Sequence, residues 1–243
     1  MKILADYHTH TVFSHGKGSI EDNVRVAIEK GIPKIGIADH GYRHLTYGVK
    51  YKDIPRMREE VDRLNEKYPE IEIILGMECN ILDDRGNIDI DDKIRGYLDY
   101  VMAGYHFGSM PTSFRGAYNH FENYTYKGER ARAYNTRAVV NAMKNNDIFV
   151  ITHPGDKGEV DIEEVAKEAI QTDTKLEINS SHSFLNIEQL KIILSTCTYS
   201  DLVNRFIMGS DAHISRRVGD FNLALENASK AGLDINTIAN ITE

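Results

Sequence analysis

Seven short apolar runs punctuate this chain, and six of them end in a histidine or a carboxylate. The first, Ile3-Leu4-Ala5-Asp6-Tyr7-His8-Thr9-His10, sets the pattern. On a strand, positions i and i+2 face the same side, so His8 and His10 present two imidazoles together at its end, with His15 five residues beyond. The runs at 34–38, 71–77, 100–105, 148–152 and 205–208 lead in the same way into His40, Glu78, His106, His153 and the pair Asp211 and His213. Only the run at 175–178 ends otherwise, in Asn179-Ser180-Ser181-His182. A single H-x-H is more often chance than chemistry. Seven of ten histidines at or just beyond strand ends are not explained that way.

Between these runs the sequence reads as helix. Ser19 with Asp22 forms a capping-box variant that opens a helix running to Gly31, and Pro55 sits in the first turn of another over 55–68. Further helices are expected over 129–145, from Asp161 and Glu164 to about 172, over 186–194, and after Asp220 as a cap. The stretch 107–127, rich in Tyr, Phe, Asn and Gly, reads as a long loop of functional length. Alternating strand and helix calls for parallel strands joined by helical crossovers. An open sheet spreads its strand ends along a line, whereas a closed ring gathers them at one mouth. The expected fold is therefore α/β, a distorted seven-stranded βα (TIM-like) barrel over 1–243 as one domain, with a metal site at the C-terminal strand ends.

Composition narrows the setting. The formal net charge of −8 and the lack of a basic stripe argue against a nucleic-acid partner. No run of about eighteen apolar residues and no signal-peptide pattern is present, so no membrane partner is expected. Cys79 and Cys197 lack C-x-x-C spacing, which suits a reducing, cytoplasmic location. On a strand, Cys79 faces away from Glu78 and is expected in the core.

His8, His10, His15, His40, Glu78, His106, His153, Asp211 and His213 are too many donors for one ion. Imidazole and carboxylate suit zinc first, with manganese or iron as alternatives, and four to six bonds per ion make this set enough for two or three divalent metals. Glu78 is the natural bridging carboxylate.

The motifs Asp6-x-His8-x-His10, Ala38-Asp39-His40-Gly41, Gly76-x-Glu78-x-Asn80, His106, His153-Pro154 and Ser210-Asp211-x-His213 resemble, in this order and across the whole chain, those of the PHP (polymerase and histidinol phosphatase) domain family. Length and the phrases Ile151-Thr152-His153-Pro154-Gly155 and Leu176-Glu177-Ile178-Asn179 are most similar to its small stand-alone phosphatases of the YcdX type. The resemblance implies a trinuclear centre. It implies one ion on His8, His10, Glu78 and Asp211, a second shared by Glu78 with His106 and His153, and a third on His15, His40 and His213. It also implies a phosphatase that hydrolyses a small phosphomonoester through a metal-bridging hydroxide. A homo-oligomer, specifically a trimer, is suggested by family analogy alone.

Other candidates are less constrained. Asp211, His182 and Arg115 are taken as catalytic or substrate-contacting, with His44 and His120, like His182, as substrate contacts or general acids and Arg216 and Arg217 as further contacts for an anionic substrate. Asp6 and Asp39 are read as acceptors that orient histidines, and Tyr118, Phe121, Tyr124 and Tyr126 as a substrate wall or as packing. Four alternatives stand beside the phosphatase. A phosphodiesterase or 3′-5′ exonuclease shares the chemistry but not the acidic charge balance. A histidinol phosphatase is a special case that no residue here selects. An amidohydrolase-like hydrolase lacks its bridging lysine, and a regulatory or metal-storing domain leaves the intact donor set unexplained.

Overall fold

Four-to-nine-residue apolar segments that are buried on both faces favour parallel pairing, and most of the runs pair that way. The computed structural model describes residues 2–125, 128–182 and 184–242. The first run departs from expectation. Only β1 (Lys2–Ile3) is regular strand, and it pairs antiparallel with β8 (Ile241–Thr242). The following runs form β2 (Lys34–Ile37), β3 (Glu72–Asn80), β4 (Tyr100–Gly104), β5 (Val150–Ile151), β6 (Lys175–Asn179) and β7 (Phe206–Gly209). These six lie parallel and in sequence order in one sheet.

Helices carry the chain back between strands: α1 (Ile20–Glu29), α2 (Ile54–Lys67), α3 (Asp92–Arg95), α4 (Phe114–Thr125), α5 (Glu129–Asn145), α6 (Ile162–Gln171), α7 (Ile187–Thr196), α8 (Tyr199–Leu202) and α9 (Asn222–Ala231). The expected Ser19–Asp22 capping box opens α1, Asp161 caps α6, and Asn186 with Gln189 boxes α7. Two expectations need correction. Asp220 does not cap α9; its carboxylate accepts from Asn222 Nδ2 and pairs with Arg217 at 3.4 Å. The stretch expected as a loop contains α4, whose buried face is Gly116, Asn119 and Asn123 while Phe114, Tyr118, Phe121 and Tyr124 face solvent. A helix that buries polar residues offers no apolar stripe to detect. Tyr126 lies outside the described residues.

The sheet curls until its two edges flank one segment. Residues 4–10 bond to β2 on one side, through Asp6 N to Lys34 O at 3.2 Å and Gly36 N to Asp6 O at 2.8 Å. On the other side His10 N donates to Ala212 O at 2.9 Å, just beyond β7. The first expected strand is thus, beyond β1, an irregular segment with isolated pairings, Asp6 with Ile35 and Thr9 with Ala212. The main core, from Ile20 to Ile241, lies outside the curl against the helices. Inside it sit Ala38, Met102, Val150 and Ile207, with Tyr7, Tyr100 and Phe149 packed against them. A Cβ on Gly76 would come within 2.3 Å of the Tyr100 ring, so this ring fits only against a glycine. Among the described residues no helix is long and apolar enough to cross a membrane.

Asn240 seals the seam between the irregular segment and β7. Its Nδ2 donates to Ala5 O at 2.8 Å and Met208 O at 2.7 Å, its Oδ1 accepts from Met208 N at 2.8 Å, and its own carbonyl accepts from Leu4 N at 2.9 Å. Buried backbone groups left without partners cost about 1–3 kcal/mol. Asn240→Ala is therefore expected to lower unfolding free energy by about 2–3 kcal/mol in urea titrations, and an unchanged midpoint would refute this role for the seam.

Candidate metal centre

The curl brings the nine expected donors to one end of the sheet, and their mutual distances follow the chain's own geometry. His8 and His10, two positions apart on the seam segment, place their Nε2 atoms 3.1 Å from each other. His10 Nε2 is 3.1 Å from Asp211 Oδ1, His8 Nε2 is 3.4 Å from Glu78 Oε1, and His10 Nε2 is 3.7 Å from Glu78 Oε2. Four tetrahedral donors at about 2.0–2.1 Å from one ion stand roughly 3.3 Å apart, so these atoms have the spacing of a shared ion. Glu78, at the end of β3, is also approached by His153 Nε2 at 2.8 Å, His106 Nε2 at 3.1 Å and His40 Nδ1 at 2.8 Å. His10, His40 and His213 form a further group with donor atoms within 4.8 Å of one another, and the His15 ring lies 4.2 Å from that of His213 and 4.8 Å from that of His40.

Several of these atoms are buried yet make no hydrogen bond: His10 Nδ1, both nitrogens of His40 and Glu78 Oε2. The His40–Glu78 approach at 2.8 Å is close but misaligned for one. Buried polar groups normally find partners, so lone pairs that converge without pairing fit a cation better than a hydrogen-bond network.

Electrostatics divides the histidines. Burial lowers His15 to about 4 and His213 to about 4, and holds His40 well below the ordinary range, with neighbouring histidines adding to each shift. Burial also opposes charge on His153, yet Glu78 beside it raises that ring to about 9. His8 is likewise held high, because Glu177, Glu78 and Asp211 outweigh its burial. Burial would push Glu78 and Asp211 up, but the surrounding imidazoles keep both carboxylates well below their usual range. Carboxylates and imidazole nitrogens together are the donor set that divalent zinc, manganese or iron takes.

His153 and Asp211 both adopt left-handed backbone, with φ of 29° and 49°. Such conformations are uncommon outside glycine and need support from their surroundings. For His153 the support is Glu177, on β6, which the sequence reading did not single out. Glu177 Oε2 accepts from His153 N at 2.9 Å and from Asn179 Nδ2 at 3.0 Å, while Oε1 lies 2.6 Å from His8 Nδ1. A carboxylate at Nδ1 fixes the tautomer that leaves Nε2 free to face the cluster. A Cβ on Gly209 would sit 1.8 Å from Glu177 Oε1, so the neighbouring strand must carry glycine there. The one signal in the sequence was an acid between Leu176 and Ile178 in an otherwise apolar strand. Asn80 acts similarly on His106, its Oδ1 lying 3.0 Å from His106 Nδ1, and is itself held by Asp89.

Asp6 and Asp39 work one level further out than expected. Asp39 accepts from Thr11 N, Thr11 Oγ1 and Ser14 Oγ, and Asp6 from Gly219 N, His8 N and Ser210 N, so both hold the backbone that carries the histidines instead of their rings. His182 reaches the rim, with Nε2 3.5 Å from Asp211 Oδ2. Arg115 does not join the cluster. It is 63% exposed, pairs with Asp84 at 3.3 Å and lies over the Tyr134 ring, because α4 carries it to a cleft shared with Asp83, Asp84 and Arg137. Arg217 pairs with Asp220, and His120 is engaged by Tyr105 and Ser109 under α4. Cys79 is fully buried in the main core, as expected. Tyr47, in the loop after β2, was missed; its ring lies 4.3 Å from that of His15 and 4.8 Å from that of His40.

Comparison with known proteins finds the PHP domain profile matching residues 6–181. A protein of Thermoanaerobacter sp. strain X514 named "probable phosphatase" is 32% identical over 250 residues, covering 99% of this chain and 91% of that one. One of the same name from Shewanella frigidimarina is 30% identical over 254 residues, covering 99% and 90%. Among solved structures, histidinol phosphate phosphatase of Lactococcus lactis, complexed with zinc, L-histidinol and phosphate, superposes with a TM-score of 0.65 at 18% identity, covering 95% of this chain and 94% of that one. At that identity the likeness is one of fold.

Loss of a group that orients a metal-binding histidine typically weakens metal affinity about 10–100-fold. Glu177→Gln is expected to show that loss in zinc titrations against a competing chelator while keeping a cooperative thermal transition. Wild-type affinity in the variant would remove Glu177 from the centre.

Proposed function

The chain belongs to the PHP domain family, and from that premise we propose that it is a metal-dependent phosphatase hydrolysing a small phosphomonoester. The observation that carries the reading is the convergence of His40, His106 and His153 on buried Glu78, beside the His8–His10–Asp211 group, with buried donor atoms that no protein group satisfies. A lone catalytic carboxylate needs no such crowd of imidazoles. In our assignment His8, His10, Glu78 and Asp211 hold one ion, Glu78 with His106 and His153 a second, and His15, His40 and His213 a third, zinc being the first candidate. Bound there, divalent ions would neutralise phosphoryl oxygens and lower the pKa of water towards neutrality.

The protein's own contribution is positioning. Glu177 presents His8 and steadies the backbone of His153, Asn80 presents His106, and Asp39 fixes the turn after His10. Asp211 stays ionised and reaches His10, and His182 stands beside it at the rim. Burial lowers the His182 pKa, so near pH 7 it is a neutral hydrogen-bonding group towards substrate and not a charged acid. We read the six-stranded sheet plus the seam segment as a distorted seven-staved barrel, and residues 1–243 as one domain. The free thiols Cys79 and Cys197 suit a cytoplasmic enzyme. The formal charge of −8 speaks for a small substrate over a nucleic acid.

Hydrolysis of an aryl phosphate monoester beside the matching diester, with zinc- and manganese-loaded protein, tests the reading. The monoester rate is expected to dominate. It should vanish in His153→Ala, which should also lose one metal equivalent without unfolding. Dominant diester cleavage would favour the nuclease chemistry, and a His153→Ala variant with wild-type rate and metal content would overturn the second ion's assignment.

A further inference from the structure

The loop between β2 and α2 holds a tyrosine over the donor cluster by an unusual clamp. His44 is the clamp: its Nδ1 accepts from Thr46 N and Tyr47 N, each at 3.3 Å, its Nε2 donates to Phe107 O at 2.6 Å, and its ring stacks on Tyr47 with centroids 3.6 Å apart. Gly108, with φ of 90°, lies against the His44 ring, where a Cβ would come within 2.8 Å, so the loops after β2 and β4 lock together at this point. The product is a phenol packed against His15 and His40 whose hydroxyl makes no hydrogen bond among the described residues. The tyrosines at 51, 68, 100, 105 and 134 have partners for theirs, and Tyr7, Tyr42 and Tyr97 do not, but among the described tyrosines only Tyr47 packs against histidines of the donor cluster.

We propose that Tyr47 is a substrate-contacting residue whose O–H donates to a non-bridging phosphoryl oxygen, and that His44 is the residue that positions it. The inference rests on the phosphomonoesterase reading above. A free donor in a half-buried mouth beside the histidines is placed to meet the negative charge that the substrate brings. A tyrosine hydroxyl ordinarily keeps its proton throughout the neutral range and so has a hydrogen bond to give. His44, which the sequence suggested as a substrate contact or acid, has both ring nitrogens committed to backbone and is not free for either role.

The test compares Tyr47→Phe, His44→Ala, His44→Asn and the Tyr47→Phe/His44→Ala double variant, all metal-loaded and checked for wild-type metal content and thermal transition. Hydrogen bonds to charged groups support a loss in kcat/KM of about 10–100-fold for Tyr47→Phe, with inorganic phosphate binding weakened by calorimetry. The loss should be equal on 4-nitrophenyl phosphate and phenyl phosphate. A loss confined to phenyl phosphate would overturn the assignment, because it would mark a proton donor to the leaving group. Wild-type kcat/KM and phosphate affinity in Tyr47→Phe would overturn it outright. His44→Ala should match Tyr47→Phe, the double variant should be no worse than either, and His44→Asn, which keeps an acceptor for the turn amides, should recover most of the activity. Additive losses in the double variant would remove His44 from the positioning role. An inactive wild type would refute the phosphatase reading itself, a result distinct from any of these.

Discussion

The structure depends on keeping Glu78 ionised where water does not reach. Taking a carboxylate out of water costs on the order of several kcal/mol even after relaxation, and a single partner seldom returns that much. Here the carboxylate meets His106, His153 and His40 within 3.1 Å, and against its burial His106, His8 and His40 hold its pKa well below the usual range. Those histidines sit at the ends of β2, β4 and β5, so the charge is stabilised only if three strands end in register with β3. Parallel pairing provides that register, with Glu78 opposite Met102 and Ala103 opposite Ile151.

Donors that satisfy one another imperfectly are the reason to expect a cation. His10, His40 and Glu78 retain buried atoms without hydrogen bonds, and His153 and Asp211 hold left-handed backbone. Both features are unfavourable taken alone. Glu177 shows how the fold sustains them: one carboxylate on β6 supports the backbone of His153 and the tautomer of His8, and the absent side chain of Gly209 on β7 gives it room. The site is therefore built from strand backbones on one level and from acceptors behind the histidines on the next.

Around this rigid floor the loops differ in what they bring. The loop after β2 brings Tyr47 to the histidines and is held by His44. The segment after β4 instead forms α4, which carries Arg115 to Asp84 and turns its aromatic residues to solvent. Two segments with similar Tyr- and His-containing composition thus end in different places.

The strand–helix alternation and the caps of α1 and α6 were legible in the sequence because each is a local pattern with a fixed period or spacing, and the family that the motifs resemble is the one whose profile matches. A metal-type side chain at the end of an apolar run points to a site without any knowledge of what lies across the sheet. The first strand's irregularity, the placement of Arg115, and the roles of Glu177, Asn80 and Tyr47 were not legible. Each is decided by a partner far away in the chain: the seam segment by β2 and Ala212, Glu177 by His8 and Gly209, Tyr47 by a loop fixed to Phe107. Sequence determined which side chains could hold charge and metal, because that is a property of the residues themselves. Only the tertiary structure decided which of them are aimed, neutral or free, because orientation and burial depend on neighbours that the linear order does not contain.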